Sequence, residues 1–346
     1  MIIIKKIIIL FLCSLFTLLF LSNPKIKVKA IDDSSKSSIL MDIDHNRILY
    51  EKNCNEKHLT ASIAKIMTCL VAIENGDLKK ICVVDEQTTK QIGSSIYLKL
   101  NDKIYLKDLL YGLMLRSGND AAYLISISVS NNVDSFVLLM NKTAKKINMN
   151  NTIFENPSGL DESTKNYSTA YDMALLMAYA MKNKTFREIV NKTSYSFTSI
   201  NGDKITFYNK HKLVNSNEYC IGGKTGYTEL ANRTLVTCFS KNNINVVIVT
   251  FDCGNDWNVH ESLFEYAITN YQIKTFITQG IIDYDYISYD VTPIIYENVT
   301  YIINKNEKVN CEIELLERVN NETIIGIIKL YINDKVVKEV FIYRYY

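Results

Sequence analysis

Three prolines, one tryptophan and four histidines are few for 346 residues, and each scarcity removes a class of protein. With only 12 glycines beside those prolines, neither a collagen-like nor a low-complexity chain fits, and no internal repeat is visible. The histidines (His45, His58, His211, His260) lie in unrelated contexts. No Gly-x-Ser-x-Gly elbow and no His-Glu-x-x-His pair occurs, which argues against a Ser-His-Asp hydrolase and against a metal hydrolase. Cys-x-x-Cys is absent too, so zinc-site and thiol-redox readings fail. No charge of one sign dominates. The formal net charge is +2, which gives no electrostatic reason to expect nucleic acid.

What is present is an ordinary globular composition, 47% hydrophobic and 22% charged, in a chain long enough for one large domain and a smaller one. The first 30 residues stand apart. Lys5 and Lys6 precede an apolar run, Ile7 to Ser22, and the segment closes on Val28-Lys29-Ala30. A basic start, an apolar middle and a small-residue end predict a secretory signal cleaved after Ala30. The alternative is an uncleaved N-terminal anchor, since the run is only slightly short of a membrane span. Cys13 lacks the preceding small residues of a lipoprotein signal. Cleavage removes five lysines and no acids, taking the formal charge from +2 to −3. Seven cysteines then remain, mostly in apolar runs where Cys behaves as a small hydrophobe, and no disulfide framework is expected.

Along the mature chain, Ser38 to Lys52 alternates around His45-Asn46 as a β-hairpin would. Ser62 to Asn75 reads as a buried helix with Gly76 at its C-terminal cap. Helices are expected from Leu106 to Leu115 and from Asp120 to about Ser130, and another opens at Ser168 to Asp172 with Thr169 and Asp172 at capping-box spacing. Thr234 to Ser240 and Ile244 to Asp252 predict two strands joined at Lys241-Asn242-Asn243, and His260 to Tyr271 a closing helix. From Gln272 onward Ile, Val, Tyr and Thr alternate with polar residues, which predicts a small all-β domain over 272–346 after a main domain over 31–271.

Three short motifs lie in order: Ser62-Ile63-Ala64-Lys65, Ser117-Gly118-Asn119 and Lys224-Thr225-Gly226. On a helix, positions i and i+3 share a face, which sets the Lys65 amine beside the Ser62 hydroxyl. Serine is a poor nucleophile until a base takes its proton, and lysine is a base only when neutral. Burial and a second cation, here Lys224, both push its pKa down. Backbone N–H groups at the start of the Ser62 helix favour a developing oxyanion. The plain alternatives are a helix N-cap for Ser62, a solvated lysine at 65, and simple turn chemistry for Ser117 and Asn119. Against them, the helix is apolar nearly all round, so a lysine within it needs a partner. Gly222, Gly223 and Gly226 cluster around the third motif, as suits close approach of another backbone, such as that of a peptide substrate.

With these motifs the chain resembles the serine D-Ala-D-Ala carboxypeptidases, the low-molecular-mass penicillin-binding proteins. The likeness is carried by Ile48 to Asn53, Thr60 to Thr68, Met114 to Ala122, Asn156 to Asp161, Ser168 to Asp172, Gly223 to Thr228 and Cys253 to Trp257. It implies an α+β fold: a penicillin-binding, β-lactamase-like transpeptidase domain, with an antiparallel sheet flanked by helices and a helical lobe, followed by a small all-β C-terminal domain. It implies Ser62 as the acylated nucleophile, Lys65 as general base, and Ser117 and Asn119 as proton relay and peptide holders. Lys224 would stabilise charge and Thr225 bind the terminal carboxylate beside Gly226. The backbone N–H groups of Ser62 and Tyr227 would form the oxyanion hole. No metal or cofactor is implied. The substrate would be a peptidoglycan stem peptide ending in D-Ala-D-Ala, with β-lactams as inhibitors, at the outer face of the cytoplasmic membrane, in the wall or secreted. Either water or an amine can accept the acyl group, so carboxypeptidase, endopeptidase and transpeptidase share these motifs.

Two departures stand out. Ser158 replaces a histidine common in the family, with little effect expected because that stretch lies outside the three motifs. The region after Gln272 also lacks the family's membrane-binding amphipathic helix, so membrane attachment would require the N-terminal segment to stay uncleaved. The rival readings are a class A β-lactamase, for which Glu155 and Asp161 are the available extra carboxylates, and a non-catalytic penicillin-binding sensor or wall-binding protein. The appended β domain speaks against the first, and the complete set of motif residues against the second.

Overall fold

The structure, a computed structural model, describes residues 31–282, 292–315 and 323–345. The expected secretory segment lies outside these. A five-stranded antiparallel sheet carries the fold, in spatial order Ile48–Lys52, Ser37–Asp42, Ile244–Phe251, Asn232–Lys241, Cys220–Thr228. Its middle strands are runs of Val, Ile, Leu and Phe buried on both faces. Asn242 and Asn243, both left-handed at φ +53° and +63°, make the tight turn between two of them.

Strand alternation divides the sheet residues between two layers. Val236, Cys238, Val247 and Val249 face a helical lobe, within one continuous apolar core. The lobe comprises helices Lys65–Asn75, Leu106–Arg116, Asn119–Ser130, Val133–Lys146, Ala170–Ala180 and Lys184–Val190. On the opposite face lies helix Asp256–Asn270, whose Phe264 stacks on Phe239 at 4.4 Å. The helices Val133–Lys146 and Lys184–Val190 and the hairpin Ser194–Thr198 with Lys204–Tyr208 were not expected from the sequence. Val133–Lys146 buries Phe136, Met140, Thr143 and Ala144, the i, i+4, i+7, i+8 stripe of an amphipathic helix, so its signal was present in the sequence and passed over.

The start of the Ser62 helix differs from expectation: the segment opens as a 3-10 turn, Ala61–Ala64, and the α-helix starts only at Lys65. Gly76 caps the C-terminus of that helix, in an extended conformation (φ −104°, ψ 155°), and its value is closeness, since a Cβ there would lie 2.7 Å from both Ala72 O and Leu106 Cδ2. Thr169 does cap its helix, accepting from Asp172 N at 3.0 Å. The Asp172 carboxylate, however, turns to Asn151 N and the Thr152 hydroxyl, so the reciprocal half of the capping box is missing.

After Tyr271 every described element is a strand. Gly280–Ile281, Thr292–Ile295, Lys335–Tyr345, Ile324–Ile332 and Val309–Leu315 form a second antiparallel sheet in that order, and Tyr271–Ile277 pairs with Val299–Asn304. Arg47, at the tip of the first hairpin, donates to Ile302 O at 2.6 Å, pairs with Glu307 and lies over the rings of Tyr271 and Tyr301. Among the described residues no single helix is long and apolar enough to cross a membrane. All seven described cysteines are unpaired thiols.

Candidate active site

The three motifs come from three separate elements and meet at one point. Ser62 sits in the 3-10 turn and Lys65 opens the following helix. Ser117 ends helix Leu106–Arg116 in a left-handed conformation (φ +64°), and Asn119 begins the next helix. Lys224, Thr225 and Gly226 lie on strand Cys220–Thr228, an outer strand of the sheet. The register pairs Lys224 with Val236 and Gly226 with Thr234, which turns both toward the helical lobe.

Lys65 is fully buried, yet its amine is surrounded by oxygen. Nζ lies 2.8 Å from Ser62 Oγ, 2.8 Å from Asn119 Oδ1 and 2.5 Å from Ser158 O. Asn119 is held in the required sense because its Nδ2 donates to Ile92 O at 2.7 Å, leaving Oδ1 for the lysine. Lys224, also buried, donates to Ser117 Oγ at 3.0 Å and to Thr225 O at 2.6 Å. Burial first, then repulsion from Lys224 and Lys210, holds the Lys65 amine well below the ordinary lysine range, with Asp120 pulling the other way. Burial and Lys210 lower Lys224 to about 7. Two buried lysines without a carboxylate between them are costly as ammonium ions, and this cluster favours neutral amine.

Glycines make the approach of these elements feasible. A Cβ on Gly226 would lie 2.9 Å from Ser62 N and 2.3 Å from the Thr234 hydroxyl, so only a bare backbone passes beside the serine. The expected opening of Gly222 and Gly223 toward a substrate does not hold: a Cβ at Gly222 would meet Val190 and one at Gly223 would meet His211, so both serve internal packing. Tyr227, next along the strand, is exposed.

The Asn156 to Asp161 stretch, outside the three motifs in sequence, nevertheless reaches the site. Ser158 contributes its carbonyl, not its side chain, to Lys65, and Asp161 accepts from the Thr228 hydroxyl at 2.5 Å beside the third motif. The turn's Asn-Pro-Ser-Gly composition was the available signal. Glu155, the other carboxylate weighed for a lactamase, is exposed and accepts from Lys165 N at 2.7 Å. Asp120, expected only as a helix start, accepts from the Ser95 hydroxyl and from the backbone N–H groups of Ile96 and Leu98, clamping that loop beside Asn119. Among the described residues no group of three or more His, Cys, Asp or Glu side chains is placed to hold a metal ion.

Fold and cluster together define a class, the serine-type DD-peptidases. The chain belongs to the D-alanyl-D-alanine carboxypeptidase family, peptidase S11, whose family model matches residues 24–255. It is 33% identical over 222 residues to the D-alanyl-D-alanine carboxypeptidase DacF of Bacillus subtilis, covering 63% of this chain and 57% of that protein. With DacC of Escherichia coli it shares 31% over 284 residues, 76% of this chain and 69% of the relative. The chain thus spans little more than half of the Bacillus relative's length. Penicillin-binding protein 5 of Haemophilus influenzae superposes with a TM-score of 0.76 over 90% of this chain and 96% of its own at 24% identity, a likeness of fold that extends into the C-terminal strands.

Proposed function

We propose that the protein is an exported serine carboxypeptidase that removes the terminal D-Ala from peptidoglycan stem peptides ending in D-Ala-D-Ala. Residues 31–271 form its catalytic domain and 272–346 an appended β domain. The observation that carries the reading is the set of partners around Lys65. A neutral amine has two N–H donors and one lone pair. Asn119 Oδ1 and Ser158 O accept only, so they take the two N–H groups, and the lone pair is left for the Ser62 O–H. That is the arrangement a general base needs before the serine attacks.

In the first half-reaction Ser62 Oγ bonds to the carbonyl carbon of the penultimate D-Ala as its proton passes to Lys65. The oxyanion is held by the backbone N–H groups of Ser62 and Tyr227. Collapse breaks the peptide bond, and the departing amine of the last D-Ala takes the proton that Lys65 had accepted, relayed by the Ser117 hydroxyl that Lys224 holds, which leaves Lys65 neutral again. Water then adds to the acyl-enzyme with Lys65 again as base, releasing the shortened peptide and restoring Ser62. The outer strand Cys220–Thr228 offers a peptide an edge to lie along, with Lys224 and Thr225 near its carboxylate. A β-lactam would enter the same first step and remain as the ester, because its leaving nitrogen stays tethered.

The test is labelled penicillin followed by peptide mapping. One label per chain at Ser62, absent from Ser62→Ala, is expected. A label elsewhere, or none on folded protein, overturns the assignment.

A further inference from the structure

The turn that delivers Ser158 O to the lysine is built by one side chain outside the three motifs. Asn156 Oδ1 accepts from Gly159 N at 2.7 Å, Ser158 N at 3.1 Å and the Ser158 hydroxyl at 3.1 Å. Its Nδ2 donates to Leu160 O and to the Thr164 hydroxyl, both at 2.8 Å. Every hydrogen-bonding position of the amide is thus spent folding the chain around Ser158.

The base of the turn is fixed independently. Buried Asn166 accepts from Glu155 N and Asn156 N and donates to Asn156 O at 2.9 Å, while its own carbonyl accepts from Thr60 N, two residues before the nucleophile. The Thr68 hydroxyl, one helical turn beyond Lys65, donates to Pro157 O at 2.6 Å. Gly159, left-handed at φ +84°, lies so close that a Cβ would fall 1.8 Å from Ala61 O. The turn is therefore braced against the segment that carries both Ser62 and Lys65.

We infer that Asn156 is a positioning residue for the base: by shaping the 156–160 turn it holds Ser158 O on Lys65 Nζ and so aims the amine's lone pair at Ser62. The inference rests on the functional reading above. The charged groups facing Lys65 are Lys224 from the edge strand, Lys210 from the segment before it and Asp120 from the helix after Ser117. The Asn156-Pro157-Ser158-Gly159 turn carries no charge, so Asn156 acts through geometry and not as a counter-ion.

Geometry is read where protonation no longer limits the rate. The experiment follows acylation by labelled penicillin across pH in wild type, Asn156→Ala and Asn156→Ser, the serine keeping a short acceptor for the turn's N–H groups. On the high-pH plateau Lys65 is neutral in each. There Asn156→Ala should acylate about tenfold to hundredfold more slowly, the scale of a small misplacement of a reacting group. The pre-acylation dissociation constant should stay within about twofold, Ser62 should still reach one label per chain, and Asn156→Ser should recover most of the rate. A folded Asn156→Ala with a plateau rate within about twofold of wild type, or a loss confined to the dissociation constant, overturns the inference. Should Asn156→Ala not fold, Thr68→Val, which frees Pro157 O, decides by the same readouts with a fall of about threefold or more expected. An unlabelled wild type removes the functional reading and this inference together; a labelled wild type with unaffected variants removes the inference alone.

Discussion

Acid should weaken this fold well before its carboxylates are neutralised, because of two histidines behind the strand next to the active-site edge. His211 and His260 are both fully buried and share the Thr237 hydroxyl, at 3.1 Å from His211 Nε2 and 2.8 Å from His260 Nδ1. His211 Nδ1 accepts from Val214 N and its Nε2 also faces Val236 O, which assigns the proton to Nε2. Protonating the ring would set a second N–H against the Val214 N–H. Burial, chiefly, lowers His211 to about 3 and holds His260 well below the ordinary range. The sign follows from linkage: the unfolded chain binds protons near pH 6.5 and the folded chain does not, so stability is complete above that value and lost as pH falls toward the folded pKa. Each buried neutral histidine then costs about 1.4 kcal/mol at pH 5.5, and the pair about 3 kcal/mol relative to pH 7.5. Asp108 and Asp172, whose carboxyls burial pushes up, act in the opposite sense, so a difference is measured. Urea unfolding from pH 7.5 to 5.5 should show wild type losing about 3 kcal/mol more than the His211→Gln/His260→Gln double variant. Equal pH slopes in the two proteins would refute the reasoning.

Three further outcomes follow from the site. Lys65→Arg should stay folded by circular dichroism yet lose penicillin acylation by about a thousandfold or more, since arginine keeps the charge and cannot serve as base. Lys224→Ala should raise the apparent pKa of the ascending limb of acylation by removing the repulsion on Lys65, and should separately weaken peptide binding; a pH–rate profile and a dissociation constant check the two effects. Gly226→Ala should slow acylation about a hundredfold and cost about 1–3 kcal/mol of stability, because its Cβ would lie 2.9 Å from Ser62 N and 2.3 Å from the Thr234 hydroxyl; stopped-flow with a chromogenic β-lactam and urea unfolding read the two effects.

Much of the site was legible because its chemistry conflicts with its surroundings. A lysine at position 65 in a helix apolar nearly all round needed a partner, and Ser62, three residues earlier, was within reach. The strands around Asn242-Asn243 and the hairpin around His45-Asn46 declared themselves through turn chemistry and alternation. What stayed hidden depends on contacts distant in sequence. Ala61 takes a left-handed φ of +46° where Gly159 presses on it, and this tertiary contact accompanies a 3-10 turn at Ser62 in place of the helix that local propensity suggested. The contact of Ser158 with Lys65 escaped notice because it is made by a main-chain carbonyl, which no side-chain identity encodes. The glycines before Lys224 pointed to close approach correctly, but the approaching groups are Val190 and His211 of the protein itself.

The central claim is that a serine–lysine centre at Ser62 and Lys65 cleaves a terminal D-Ala. Mass spectrometry of the purified protein with a stem pentapeptide ending in D-Ala-D-Ala tests it most directly. Loss of one D-Ala from the peptide, a transient acyl adduct on Ser62, and neither with Ser62→Ala is the predicted result. An intact peptide after incubation with folded protein, or cleavage that persists in Ser62→Ala, would contradict it.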